Sequence, residues 1–291
     1  MKPASYTYQR PGNVAEALQI LARYGEGAKP LAGGQSLGPM LNMRLARPEH
    51  LVDLNDLIEM DYVREVSSMI EVGALTRHHR LANSAELKST VPLLSQAAAT
   101  IGHYAIRQRG TVAGSLVHAD PAAQIPLIAV TLGAQVVVQS SKGSRVVPAV
   151  DFLQSIMTID LKETEMVTAL RFPMQGPNEG WAFEIFSRRH GDFAMASVAA
   201  TLSLDGNGAL SALRLGLGGV GPVPLRMPEI EAGALGSTLD EASTKRLARQ
   251  AADAIEPEED EQVPAVFRKE LIETLTARAL RHAFATTGRV Q

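Results

Sequence analysis

The sequence predicts an α+β protein in two parts, a mixed α/β N-terminal part over residues 1–175 and a C-terminal part over 176–291. Three observations predict it. Short apolar runs of strand length alternate with helix-like 3-4 repeats in the first half. A proline- and glycine-bearing stretch from Pro173 to Gly180 interrupts both patterns. Beyond it, WAFEIFSRR and ASVAATLSL are followed by a hairpin signal, Asp205-Gly206-Asn207-Gly208, and by ALSALRLGLGG, and only then do helical patterns return. Strands segregated from helices argue against a doubly wound C-terminal part.

A short aromatic strand at Tyr6 to Tyr8 comes first. Asn13 then precedes an apolar repeat, Val14, Ala17, Leu18 and Leu21, with Glu16 at the capping-box offset and Gly25 as the stop, which predicts a helix. AKPLAGGQSLGPMLNMRLARP reads as a strand through Leu31, a glycine turn at Gly33 and Gly34, and a helix begun near Ser36. Strands are predicted at Leu51 to Asp53, Tyr62 to Val66 and Met69 to Gly73, and a helix over VPLLSQAAATIG. A second glycine turn is expected at Gly110 and Gly114. A helix from about Ala122 to Leu132 leads into the strands AQVVVQ and SRVVP, joined at Lys142-Gly143, and a run from Met166 to Phe172 closes the first half. The last helical patterns span Leu239 to Ile255 and Val266 to Phe284, with the acidic run Glu256 to Glu261 between them as a solvated loop.

Composition excludes several classes. Lys+Arg 28 against Asp+Glu 31 leaves a net charge of −3, so no basic reservoir exists for nucleic acid or an anionic membrane. With no cysteine, the chain offers no disulfide, thiolate zinc site, iron–sulfur cluster or cysteine nucleophile. MKPASYTYQRPG lacks the apolar core of a signal peptide, and the longest apolar stretch, Pro126 to Val138, is too short to span a bilayer, so a cytoplasmic location is expected.

Gly216-x-Gly218-x-x-Gly221 has the spacing of a dinucleotide fingerprint, but Pro222 and Pro224 follow where a helix should open, and a glycine-rich strand exit is the better reading. Adjacent His78-His79 and His118-x-Asp120 lack helical ligand spacing, and no metal site is expected. GAKPLAGGQSLG has Lys29 before its glycines rather than after them, which disfavours a triphosphate loop.

Two glycine segments remain: Ala32-Gly33-Gly34-Gln35-Ser36-Leu37 and Thr111-Val112-Ala113-Gly114-Ser115. Glycine lets a backbone approach a ligand with its N–H groups, so two such nests can hold one pyrophosphate. On the residues alone, two ordinary turns explain the pattern equally well. The decisive signal is longer. YQRPGNVAEAL, LAGGQSLGPMLNMRLARP, VGALTRHHRL, IGHYAIRQRGTVAGSLVHADPAAQIP, FSRRHGDFAMASVAA and FRKELIETLTARAL together make the chain resemble, nearly end to end, the FAD-binding medium subunits of molybdenum hydroxylases, the group of carbon monoxide and xanthine dehydrogenases.

The resemblance implies a flavin fold of the vanillyl-alcohol-oxidase (PCMH) type, followed by a C-terminal antiparallel sheet with helices. It implies that Ala32 to Leu37 and Thr111 to Ser115 hold the FAD pyrophosphate. Ile101 would lie along the cofactor, Asp120 and Gln124 near its hydroxyls, and Leu161 as an apolar neighbour, with Phe186 to Phe193 reaching the isoalloxazine. No catalytic acid or base is expected. Three positions depart from the family pattern: Ala113 replaces a glycine and should avoid positive φ, Gln124 stands where relatives often carry an acid, and Ile185 where many carry lysine.

The implied role is that of an electron-transfer flavoprotein subunit in a heterotrimer, itself one half of a dimer of heterotrimers. A large subunit would carry the molybdenum–pterin cofactor and a small one two [2Fe–2S] clusters. The chain would take electrons from those clusters and deliver them to an external acceptor. A self-contained FAD-dependent oxidoreductase and an assembly module that has lost FAD are the alternatives.

Overall fold

The computed structural model describes residues 2–176, 178–259 and 263–288. Its first unit is β1 (Thr7–Gln9), α1 (Val14–Tyr24), β2 (Ala28–Leu31), α2 (Leu37–Asn42) and β3 (His50–Asp53). The strands form a parallel sheet in the order β1-β3-β2, with Tyr8 opposite Leu51 and Pro30 opposite Val52. The α1 start follows the capping logic: the Glu16 N–H donates to the Asn13 side chain at 2.9 Å, and the Glu16 carboxylate accepts from the Gly12 N–H at 2.7 Å. Gly25, at φ 49, ends the helix with its N–H on the Leu21 carbonyl.

β4 (Val63–Val66) and β5 (Met69–Gly73) open a second sheet. Then come α3 (His78–Asn83), α4 (Ala85–Thr90), α5 (Pro92–Ala99), α6 (Tyr104–Arg109), α7 (Val112–His118) and α8 (Gln124–Leu132). β6 (Gln135–Ser140), β7 (Gly143–Pro148), α9 (Ala149–Phe152), the small hairpin β8 (Leu153–Ser155) and β9 (Thr158–Ile159), and β10 (Glu165–Pro173) complete this half. The sheet is antiparallel, ordered β4-β5-β10-β6-β7. The sequence reading passes over α3, α4, α6 and α7. Each runs six or seven residues, less than two turns, so a 3.6-residue period has no room to show.

The C-terminal half is α+β as predicted. β11 (Gly180–Phe186), β12 (Ala196–Leu204), β13 (Leu210–Gly218) and β14 (Leu225–Arg226) form an antiparallel sheet in chain order, and α10 (Pro228–Ala234), α11 (Glu241–Asp253) and α12 (Ala265–Thr286) follow. α12 packs on β11, β12 and α11. Of the acidic run, Glu256 to Glu259 follow α11, while Asp260 and Glu261 lie outside the described residues.

One apolar cluster fills the N-terminal half and a second lies between the C-terminal sheet and its helices. α8, buried at all nine residues, packs on β13. This contact explains the Gly216-x-Gly218 spacing. A Cβ at Gly216 would fall 1.9 Å from Thr131 Oγ1, and one at Gly218 3.1 Å from a Leu127 methyl. These glycines admit a helix to a sheet face, and no helix opens after Gly221 before α10. The apolar stretch Pro126 to Val138 is split by Gly133, at φ 69, into α8 and β6, and among the described residues no helix is long and apolar enough to cross a membrane.

Candidate functional site

β2 and α7 deliver the two glycine segments to one place. Gly33 sits against the chain just before α7: a Cβ there would lie 2.3 Å from the Arg109 carbonyl oxygen and 2.7 Å from the Gly110 Cα. Gly110 in turn lies flush on a buried imidazole, with the His78 ring 2.6 Å from its own Cβ direction. Neither glycine tolerates a side chain without movement of its neighbour. Gly34, at φ +70, makes the turn itself.

Between the segments opens a cavity of about 520 Å³, a size suited to an organic cofactor. It takes in Ala32, Gly33, Gly34, Gln35, Ser36 and Leu37 from the first segment and Thr111, Ala113, Gly114 and Ser115 from the second. Ile101, Gln124 and Leu161 line it too. Two of the sequence-selected residues do not. Val112 is fully buried in the N-terminal core, and Asp120 turns its carboxylate to the Ala122 N–H at 2.8 Å, closing a local turn. Of the stretch from Phe186 to Phe193, Gly191, Asp192 and Phe193 reach the cavity. Phe186 instead meets Phe267 edge-on, with ring centroids 6.1 Å apart.

The segments are not the two equivalent nests that the sequence suggests. In the first, the N–H groups of Gly33, Gly34, Gln35 and Ser36 have no hydrogen-bond partner among the described residues. In the second, the Val112 N–H donates to the Thr76 carbonyl at 3.0 Å and the Ala113 N–H to the Ala74 carbonyl at 3.2 Å. The Gly114 N–H is capped by Thr111 Oγ1 at 3.1 Å, because α7 has begun where a turn was expected. The strip from Ala74 to Thr76 and the Thr111 cap use up those donors. What α7 offers the cavity is the Ser115 hydroxyl, which makes no hydrogen bond among the described residues. Ala113 is helical and avoids positive φ, as its side chain requires.

Gln124, at the first turn of α8, is buried, and its amide nitrogen lies 3.4 Å from Thr100 Oγ1, leaving an amide oxygen as acceptor for a hydroxyl. Ile185 packs at the edge of the N-terminal core and does not line the cavity, so the lysine departure changes nothing on its wall.

Sequence reasoning missed two groups at this site. His78 lines the cavity with its Nδ1 buried and unpartnered, and burial, with the nearby Arg107 and Arg77 cations, pushes its imidazole down to about 4. Arg107 Nη1 donates to the carbonyls of Ile101 (3.0 Å) and Gly102 (2.8 Å), fixing the loop that carries Ile101. The only sequence signal for either was the basic cluster RHHR and RQR on either side, and solvent exposure is its ordinary reading.

An unpartnered row of N–H groups, a glycine contact that excludes any Cβ and a buried free imidazole nitrogen fit a cofactor carrying a pyrophosphate and a polar ring system. Comparisons with known proteins agree. Residues 4–175 match the family described as FAD binding domain in molybdopterin dehydrogenase, and residues 181–283 the CO dehydrogenase flavoprotein C-terminal domain. The 6-hydroxypseudooxynicotine dehydrogenase complex subunit alpha of Paenarthrobacter nicotinovorans is 38% identical over 97% of this chain and 96% of its own. The carbon monoxide dehydrogenase medium chain of Hydrogenophaga pseudoflava is 36% identical, covering 98% and 99%. A solved carbon monoxide dehydrogenase from Hydrogenophaga pseudoflava superimposes with a TM-score of 0.94 at 34% identity, over 98% of this chain and 99% of that one. On this breadth of agreement the chain belongs to the FAD-binding medium subunits of the molybdenum hydroxylases.

Proposed function

We propose that the chain binds FAD non-covalently in this cavity, and that it serves as the electron exit of a three-subunit hydroxylase. The observation that carries the placement is the run of four unpartnered N–H groups, Gly33 to Ser36, on the wall of a 520 Å³ cavity. Those donors suit the pyrophosphate, the Ser115 hydroxyl and the Gln124 amide suit further oxygens, and Ile101 and Leu161 supply apolar contact. Gly191 to Phe193 close one end, where an isoalloxazine would stand.

When bound, the flavin supplies the ability to accept electrons singly and to release them in pairs. The chain's own work is to bind, orient and seal. No acid–base pair is needed for that; beside the pyrophosphate-binding turn the wall offers backbone donors, the Ser115 hydroxyl and the Gln124 amide, while its charged lining residues include Lys29, Glu165 and Asp192. In this reading the partners are a large molybdenum–pterin subunit and a small subunit with two [2Fe–2S] clusters, assembled as a dimer of heterotrimers in the cytoplasm. The medium-chain and complex-subunit names of the relatives support the assembly. We further infer that residues 1–175 form the FAD-binding part and 176–291 a second domain.

The test uses purified protein loaded with FAD and mixed anaerobically with purines, pyridines and aldehydes. The lone chain should stay yellow, and should bleach only once both partner subunits are added. Acid precipitation should release FAD into the supernatant. Bleaching of the lone chain by an organic compound would make it a self-contained oxidoreductase, and a folded chain that takes up no FAD would make it an assembly module.

A further inference from the structure

The strip that leaves β5 runs antiparallel to the start of α7. The His78 N–H donates to the Gly110 carbonyl at 3.0 Å, and Val112 and Ala113 donate back to Thr76 and Ala74. Arg77 stands at the middle of this strip, opposite Thr111. Its half-buried guanidinium does not line the cavity. One arm, Nη1, donates to the Arg109 carbonyl oxygen, the atom on which a Gly33 Cβ would fall. The other, Nη2, donates to Asn55 Oδ1 at 2.7 Å. Asn55 Nδ2 then donates to the Ala32 carbonyl at 2.9 Å, and the Asn55 N–H is itself held by Asp53 at 3.0 Å. One continuous path of side chains therefore ties the residue before Gly33 to the residue before Gly110.

We propose that Arg77, acting through Asn55, is a positioning residue that fixes the separation of the two FAD-binding segments and so sets the grip on the pyrophosphate. The inference rests on the placement of FAD in this cavity and deepens it. The requirement is geometric. Two acceptors in diverging directions, Arg109 O and Asn55 Oδ1, need a rigid two-armed donor, and a guanidinium fork supplies it where an ammonium does not. Arg77 meets one carbonyl directly and the other through an amide, so the bare charge of a lysine cannot replace it. The backbone bonds from Ala74, Thr76 and Gly110 hold the second segment to its strip, but none of them reaches Ala32. The Arg77–Asn55 pair is the cross-link between the segments.

FAD is titrated into apoprotein of the wild type, Arg77→Lys, Arg77→Met, Asn55→Ala and the double variant Arg77→Met/Asn55→Ala, with the apoprotein melting temperature of each recorded alongside. Each single variant should weaken FAD about tenfold, the scale of one lost charge-assisted hydrogen bond. The double variant should be no weaker than the weaker single, because both remove one path. Apoprotein melting temperatures should stay within about 2 °C of the wild type, well under the shift that a loss of the fold would give. Wild-type affinity in Arg77→Lys would show that charge alone suffices and overturn the proposal. So would additive losses in the double variant, or losses that scale with falling melting temperature. Failure of the wild type itself to take up FAD would instead sink the placement of the cofactor. Asn55→Ala, which trims a half-buried amide at the other end of the same contact, keeps the question answerable should Arg77→Met fail to fold.

Discussion

Gly33 and Gly110 meet backbone to backbone, and no atom can be added at Gly33 without entering the Arg109 carbonyl oxygen 2.3 Å away or the Gly110 Cα 2.7 Å away. Gly33→Ala should therefore spread the two segments, destabilising the chain by about 2 kcal/mol through overpacking and raising the FAD dissociation constant about tenfold or more. Gly38→Ala is the matched control: it lies in α2, with nothing within 4 Å of its Cβ direction. It should raise stability by about 0.5–1 kcal/mol, as alanine does in a helix. Calorimetric titration and thermal melting read both effects, and equal FAD affinity in the two variants would refute the contact.

Acid should find His78 first. The unfolded chain protonates this histidine near 6.5, whereas in the fold it resists protonation down to about 4 because of burial and the Arg107 and Arg77 cations. Between those values the unfolded state binds more protons, so stability falls as pH falls, by at most about 3 kcal/mol. His78→Gln should flatten denaturant-derived stability across that window. A slope unchanged from the wild type would assign the acid sensitivity to another group.

Glu71 is buried on β5, where it accepts from Arg171 Nε at 2.7 Å, Arg64 Nε at 3.0 Å and the Tyr62 hydroxyl at 2.9 Å. Burial alone would raise its carboxyl, but these donors outweigh burial and hold it below the usual range. Its contribution is thus complete at neutral pH and is lost as pH drops through the depressed carboxylate value. Glu71→Ala strands Arg171 and should cost about 3 kcal/mol. Tyr62, pushed up to about 12 by burial and then by Glu71, should titrate nearer its ordinary 10.0 in Glu71→Ala, a change visible by phenolate absorbance.

Gly216→Ala discriminates packing from ligand binding. Its Cβ would enter Thr131 Oγ1 at 1.9 Å, so the variant should lose about 1–3 kcal/mol by overpacking. FAD affinity should stay at the wild-type value, since Gly216 does not line the cavity. Loss of FAD without loss of stability would revive the fingerprint reading.

How much of this was legible depended on length and on contact order. α1 declared itself through Asn13, Glu16 and Gly25, and the hairpin of β12 and β13 through Asp205 to Gly208, because those signals are local. The first glycine segment was legible for the same reason: a strand end, a glycine at positive φ and a helix start sit within a few residues. α7 was hidden because Gly110 and Gly114 look like a turn, and only the Thr111 cap and the neighbouring strip show that the chain coils at once into a helix. Arg77 and Asn55 were invisible. Their partners, Arg109 O, Asn55 Oδ1 and Ala32 O, lie far along the chain on backbone or amide groups that leave no pattern in a sequence.

The burial of α8 on β13 has an implication for modularity. The helix falls within the stretch 4–175 matched by the first family model, yet its Leu127 and Thr131 fill the space left by Gly216 and Gly218 in the stretch matched by the second. The two stretches share a wall, and neither has a finished surface by itself. A fragment cut near residue 175 would leave an apolar helix face bare and invite self-association, whereas the intact chain should melt as one cooperative body. Recombination among relatives would have to exchange α8 and β13 as a matched pair, since either one alone brings a side chain where its counterpart has left no room.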